Sequence, residues 1–218
     1  MREVYERARN IRIAIFDVDG VLTDGTLYYT DAGTEIKAFN VHDGHGMKML
    51  KDSGVVLAII TSRSSRSVEA RARNLGIDLL FQGATDKLSA FQELLSRCGA
   101  GADACAYTGD DVVDLPVLKR CGLALSVPDA PALVRRHAHY VTRARGGHGA
   151  AREICELILQ AQGALAVRHD DRAVDHCGSA PAARRHAGGG NVLAGPPGAH
   201  VRERPVECDP SRPRLHRG

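Results

Sequence analysis

Short apolar runs alternate with amphipathic ones along most of the chain. The runs "IRIAIF" (11–16), "VVLAII" (55–60), "LLF" (79–81), "ACAY" (104–107) and "LALSV" (123–127) are nearly continuous in apolar character. Continuous rather than alternating runs predict strands buried on both faces, as in a parallel sheet covered by helices. Between them, residues 43–53, 65–75, 86–98, 112–121, 129–137 and 149–163 carry helical spacing. The predicted fold class is α/β, a three-layer Rossmann-like parallel sheet with helices on both faces. Residues 26–41, "TLYYTDAGTEIKAFNV", break the alternation with two extended runs around "DAGT". They predict a small β-hairpin flap after the first strand, too short for a cap domain.

Composition divides the chain in two. Residues 168–218 hold six of the nine prolines, seven glycines, five of ten histidines, and no Lys, Phe, Tyr, Ile or Met. Such a segment cannot bury enough apolar surface to offset ordering, so a domain over 1–167 and a disordered tail over 168–218 are predicted. Of the 29 Lys and Arg residues nine lie in the tail, and of the 26 acids six do, which leaves 20 of each sign in 1–167. A neutral body argues against nucleic acid or an anionic membrane as partner, and the absence of Trp weakens any base-stacking role. "MREVYERARN" carries no apolar signal region, and no apolar run approaches the ~18–20 residues of a membrane span. The six cysteines are scattered without a C-x-x-C pair, and Cys98, Cys105, Cys121 and Cys155 sit in apolar surroundings. Reduced core thiols in a cytoplasmic protein are the expectation.

Candidate chemistry gathers after the strands. The first ends in Asp17, Asp19 and Gly20, the second in Thr61, Ser62 and Arg63; Lys87 opens a helix, and "GDDVVD" places Asp110, Asp111 and Asp114 after a later strand. An open α/β sheet puts its ligand site beyond these carboxyl ends. Crowded carboxylates repel unless a cation joins them. Mg²⁺ takes oxygen ligands and leaves places for water and phosphate, so Asp17, the Asp19 carbonyl and Asp110 are its candidate ligands. Thr61 offers a hydroxyl to a phosphate oxygen and Lys87 a point charge, while Arg63 is placed either to meet substrate or to be solvated. The glycines of "DGHG" and "RGGHG" would serve ordinary turns on the residues alone.

D-x-D-G-x-x-T-D, then Thr, then Lys, then G-D-D-x-x-D, in this order over residues 11–125, resembles the haloacid dehalogenase superfamily of phosphatases. "DGVLTDG", the short hairpin, "FNVHDGHGMKML" (39–50) and "RGGHGAARE" (145–153) resemble its 3-deoxy-D-manno-octulosonate 8-phosphate (KDO 8-phosphate) phosphatases and extend the likeness to residue 163. The resemblance implies a capless homotetramer whose last segment closes over a neighbouring subunit's site. It implies an Mg²⁺-dependent phosphomonoesterase acting on a small phosphorylated acid sugar for lipopolysaccharide precursor synthesis. Asp17 would be the nucleophile, Asp19 the general acid and base, and Thr61, Ser62, Arg63 and Lys87 the phosphate and substrate contacts. Asp111 and Asp114 would orient the metal shell rather than bind the ion. The chain departs from the family where Ser62 follows Thr61 in place of glycine. His42 and His45 stand where Arg and Tyr are usual, which bears on substrate identity rather than chemistry. A nine-carbon sialic-type sugar 9-phosphate is the alternative substrate. A receiver-like phosphoacceptor module is the alternative of another class, although its acidic pair and its phosphorylated Asp come in a different order.

Overall fold

The structure, a computed structural model, describes residues 1–165; the expected tail over 168–218, with Cys177 and Cys208, lies outside the described residues. Six strands form one parallel sheet: β1 (Ile13–Phe16), β4 (Val56–Ile60), β5 (Leu79–Phe81), β6 (Cys105–Thr108), β7 (Leu123–Ser126) and β8 (Tyr140–Val141), in the order β5-β4-β1-β6-β7-β8. β2 (Tyr28–Tyr29) and β3 (Glu35–Ile36) make the separate antiparallel hairpin expected from "TLYYTDAGTEIK". Among the described residues no helix is long and apolar enough to cross a membrane.

The apolar runs are continuous because successive side chains enter different cores. Ala14, Phe16, Leu57, Ile59, Leu123 and Leu125 pack under α1 (Arg2–Arg9), α2 (Val41–Asp52), α3 (Arg66–Leu75) and α7 (Ala150–Ala161). Ile13, Ile15, Ala58, Ile60, Tyr107 and Ala124 pack under α4 (Lys87–Cys98), α5 (Leu115–Leu118) and α6 (Ala132–Arg135). Register is tight at the centre, where Phe16 pairs with both Ile59 and Thr108. The next residue of β1, Asp17, still donates its N–H to the Thr108 carbonyl at 3.0 Å. Local chemistry ends the helices where the sequence implies. Asn40, Ser65 and Asp86 cap N-termini, and Gly76 (φ +66°) and Gly99 (φ +57°) close C-termini in the left-handed conformation.

Three elements depart from the sequence pattern. α1 was not expected from a charged segment. It is held by i,i+4 pairs Arg2–Glu6 and Glu3–Arg7 and by burial of Val4 and Ala8. The helix expected over 112–121 is a 3₁₀ turn (Val112–Asp114) followed by the four-residue α5, because Asp114 is tied back into the strand ends. The stretch 129–137 keeps only Ala132–Arg135 as helix before β8 pairs with β7. Cys105, Cys121 and Cys155 are buried free thiols and Cys98 is half-buried. Burial pushes Cys105 and Cys121 up to about 12, which makes them packing residues.

α2 and α7 pack closely because Gly46 faces Arg152. A Cβ there would lie 2.7 Å from Arg152 Cδ and 3.0 Å from its Cα. Gly46→Ala should therefore destabilise the protein: overpacking costs about 1–3 kcal/mol against a helix-propensity gain of at most about 1 kcal/mol. Urea unfolding checks this; an unchanged or higher midpoint would mean the helices part freely.

Candidate active site

Lys87 is the first residue of α4, a poor place for a cation in the field of the helix dipole. Its side chain is 2% exposed, and its ammonium donates to Asp17 Oδ2 at 2.6 Å and Asp114 Oδ1 at 2.7 Å. The two carboxylates outweigh the dipole. Burial alone would pull the Lys87 pKa down, but Asp17 and Asp114 hold it above the ordinary lysine value. Asp17 is further fixed by Val18 N–H on Oδ1 at 2.7 Å. Asp114 is wholly buried and fully bonded. Tyr107 O–H reaches Oδ1 at 2.7 Å, and the N–H groups of Asp110 and Asp111 reach Oδ2 at 3.0 Å each.

Asp110 completes the cluster, and carboxylate oxygens of Asp17, Asp110 and Asp114 lie within 4.8 Å of one another. Gly20 (φ +88°) permits this, since a Cβ there would fall 2.1 Å from Asp110 Oδ2. Three carboxylates face one ammonium. Asp17 is pushed up to about 6, first by burial and then by Asp114 against the opposing pull of Lys87. Asp110 is pushed up to about 7 by burial and by Asp17 and Asp114. An all-oxygen donor set with surplus negative charge fits a hard divalent cation such as Mg²⁺. Each Asp17 oxygen accepts one hydrogen bond and keeps a lone pair for the ion, as Asp110 does, whereas each oxygen of Asp114 already accepts two.

The remaining expected residues lie outside the Lys87 cluster. Thr61 is buried at the end of β4, with Oγ1 facing Arg63 N–H at 3.4 Å; Ser62 and Arg63 are exposed beside it. Asp111 is exposed and caps the 3₁₀ turn by accepting Val112 N–H at 2.7 Å. Asp19 stands apart from the Lys87 cluster and bonds through Oδ1 to the ammonium of Lys37. Lys37 also lies 2.7 Å from Glu35 Oε1, and Arg63 pairs with Glu35 Oε2 while its Nε stays 3.9 Å from Asp19 Oδ2. Two acids and two bases thus form a neutral quartet that ties the hairpin to the loop after β1.

Sequence reasoning did not single out Lys37, Glu35, Tyr107 or Asp43. The i,i+2 pair Glu35–Lys37 was visible as two opposite charges on one side of an extended run. "ACAY" read as plain core, although a buried tyrosine needs a partner for its hydroxyl.

A haloacid dehalogenase-like hydrolase family pattern matches residues 43–122. The chain is 50% identical to a KDO 8-phosphate phosphatase, KdsC, of Yersinia pestis over 163 residues, which is 75% of this chain and 87% of that protein. It is 48% identical to KdsC of Escherichia coli K12 over the same span, again 75% of this chain and 87% of that protein. Among solved structures, a probable YrbI family phosphatase of Pseudomonas syringae superposes with TM-score 0.76 at 53% identity, covering 78% of this chain and 96% of that one. A KDO 8-phosphate phosphatase of Moraxella catarrhalis, in complex with magnesium, phosphate and KDO, superposes with TM-score 0.74 at 47% identity, covering 75% and 94%.

The raised carboxylates predict how Mg²⁺ stabilises the fold. Because Asp17 and Asp110 hold protons up to about 6 and 7, above the ordinary 3.8, the native state binds more protons than the unfolded chain in this window. The stability they contribute without metal therefore falls as pH rises from about 4 to 7. Mg²⁺ binds the deprotonated pair, so millimolar Mg²⁺ should raise the melting temperature by several degrees near pH 8 and hardly at all near pH 5. Equal shifts at both values, read by scanning fluorimetry, would remove this pair from the metal site.

Proposed function

The chain belongs to the capless KDO 8-phosphate phosphatases of the haloacid dehalogenase superfamily, and from that premise we propose that it hydrolyses KDO 8-phosphate to KDO and inorganic phosphate. The observation that carries the reading is Asp17. It is a buried carboxylate at the end of the central strand, aimed by Lys87 and Val18 N–H and faced by Asp110.

In the proposed reaction an Asp17 oxygen bonds to phosphorus as the bond to the sugar oxygen breaks, and Asp19 gives its proton to that leaving oxygen. Asp19 then takes a proton from water, the water oxygen bonds to phosphorus, and the Asp17–phosphorus bond breaks. The Lys87 ammonium on Oδ2 favours the carboxylate form of Asp17 that a nucleophile must have. Asp19 keeps one oxygen uncommitted for proton transfer: Lys37 occupies Oδ1, whereas Oδ2 is buried with no hydrogen-bond partner among the described residues. Thr61 and Lys87 steady the transferring phosphoryl group, and Arg63 and Ser62 face arriving substrate. Mg²⁺, held by Asp17, the Asp19 carbonyl and Asp110, would neutralise phosphoryl charge, with Asp111 and Asp114 orienting the ligand shell.

The hairpin is too small to seal this site, and it exposes Leu27, Tyr28, Tyr29 and Ile36, an apolar patch suited to a second copy of the chain. We read the active form as a homotetramer in the cytoplasm, where buried free thiols persist and product feeds lipopolysaccharide precursor synthesis. Sedimentation analysis should give four protomers and, for the double variant Tyr29→Ser/Ile36→Ser, a smaller species. A wild-type monomer would refute the assembly.

Phosphate release from KDO 8-phosphate and from a nine-carbon sialic-type sugar 9-phosphate, each with Mg²⁺ and with chelator, tests the activity. The expected result is Mg²⁺-dependent release from the eight-carbon substrate, and loss of at least about 10³-fold in kcat for Asp17→Asn. Preference for the nine-carbon ester would move the substrate and keep the chemistry. Full activity in Asp17→Asn would end the mechanism.

A further inference from the structure

The start of α7 has no local cap. Its N-cap residue is Gly149 (φ +106°), which has no side chain, and Arg152 holds the position where a capping box places Glu or Gln. The acceptor comes from 106 residues away. Asp43, in the first turn of α2 and 2% exposed, accepts Gly149 N–H at 3.2 Å and Arg152 N–H at 2.8 Å. One carboxylate thereby serves both positions that two side chains share in a capping box, and its charge suits the helix N-terminus. Burial pushes its pKa up, and the Arg152 and Gly149 N–H groups pull against that rise.

The other end of the segment leading into α7 is pinned as well. Glu153 accepts Arg143 N–H at 3.0 Å, Ala144 N–H at 2.9 Å and the Tyr140 hydroxyl at 2.6 Å. Between these anchors, Gly146 and Gly147 lie as bare backbone on "DVDGVLTDG". Gly147 N–H donates to Val21 O at 3.0 Å, and Asn40 Nδ2 donates to Gly147 O at 3.2 Å. A Cβ on Gly146 would fall 1.8 Å from the Gly20 carbonyl oxygen, and one on Gly147 would fall 2.6 Å from Asp24 N. Contact this close leaves the turn after Asp19 little room to move independently of α7.

We propose that Asp43 is a positioning residue for phosphoryl transfer: by capping α7 from α2, it presses Gly146 and Gly147 onto Gly20–Asp24 and so sets Asp19 relative to Asp17 and Asp110. This rests on the reading of Asp19 as metal-binding carbonyl and general acid. Asp43 acts through α7 and the loop before it.

Full-chain Asp43→Ala and Asp43→Asn are compared with Gln162→Ala, which frees the opposite end of α7, where Gln162 Nε2 donates to Ile11 O at 2.7 Å. The readouts are phosphate release from KDO 8-phosphate across Mg²⁺ concentrations and, without substrate, Mg²⁺ binding by calorimetry. For Asp43→Ala, kcat should fall and half-saturating Mg²⁺ should rise, each by about 10- to 100-fold, as for residues that orient metal ligands. Asp43→Asn, which keeps only one of the two acceptor oxygens, should fall between Asp43→Ala and the wild type in both readouts and stay at least about threefold weaker than the wild type in Mg²⁺ affinity. Gln162→Ala should lower the melting temperature yet leave kcat and Mg²⁺ dependence within about twofold. A folded Asp43→Ala with wild-type kcat and Mg²⁺ dependence, or an equal kinetic loss in Gln162→Ala, overturns the proposal. If Asp43→Ala does not fold, Mg²⁺ binding by Asp43→Asn decides: weakened affinity supports positioning, and wild-type affinity overturns it. A wild-type protein that releases no phosphate from this sugar would sink the substrate assignment instead, and calorimetry would still judge Asp43.

Discussion

The ammonium of Lys87, buried between Asp17 and Asp114, is the interaction on which the other arrangements rest. Two carboxylates brought this close out of water repel strongly, and either alone would be costly to bury. The cation makes their burial tolerable and couples elements distant in sequence, the end of β1, the start of α4 and the turn after β6. It also explains why α4 begins with a lysine despite the dipole, and why the segment after Asp111 is a tight 3₁₀ turn. Asp114 must reach back to Lys87 and Tyr107 while accepting two N–H groups of its own loop. Breaking a pair of this kind by removing one partner costs about 3–5 kcal/mol, so site and fold share their anchor here.

Asp110 makes no bond to that ammonium, and burial together with Asp17 and Asp114 raises its proton affinity, leaving negative charge that a divalent ion would satisfy. Around this centre the loop after β1 is gripped from two sides. Lys37 and Arg63 join the hairpin to it through a neutral quartet, and the backbone of Gly146 and Gly147 covers it from α7. In "DGHG" and "RGGHG", Gly46 and Gly146 are required by such close approaches: Gly46 meets Arg152, and Gly146 meets the Gly20 carbonyl.

The parallel sheet was readable because strands buried on both faces leave continuous apolar runs, and the helices α2, α3 and α4 because Asn40, Ser65, Asp86, Gly76 and Gly99 mark their ends. Asp17, Lys87 and Asp110 were readable for a related reason, since charge at the end of an apolar strand or against a helix dipole demands an explanation. α1 was not legible: two buried apolar residues leave almost no periodic signal, and its docking partner α7 is some 150 residues away. The short α5 and α6 were overextended because propensity says nothing of how far a chain can run before it must pair its next strand.

By itself the sequence determined the layering of the fold and which groups stand as candidates for the chemistry, because burial period and side-chain chemistry are local properties of the chain. Only the tertiary structure decided which groups share a charge. It gave Lys87 to Asp17 and Asp114, assigned Lys37 to Asp19, and sent Asp43 to cap a helix 106 residues away. Hydrogen bonds and ion pairs act over a few ångströms, and which atoms come that close is set by the packing of sheet and helices.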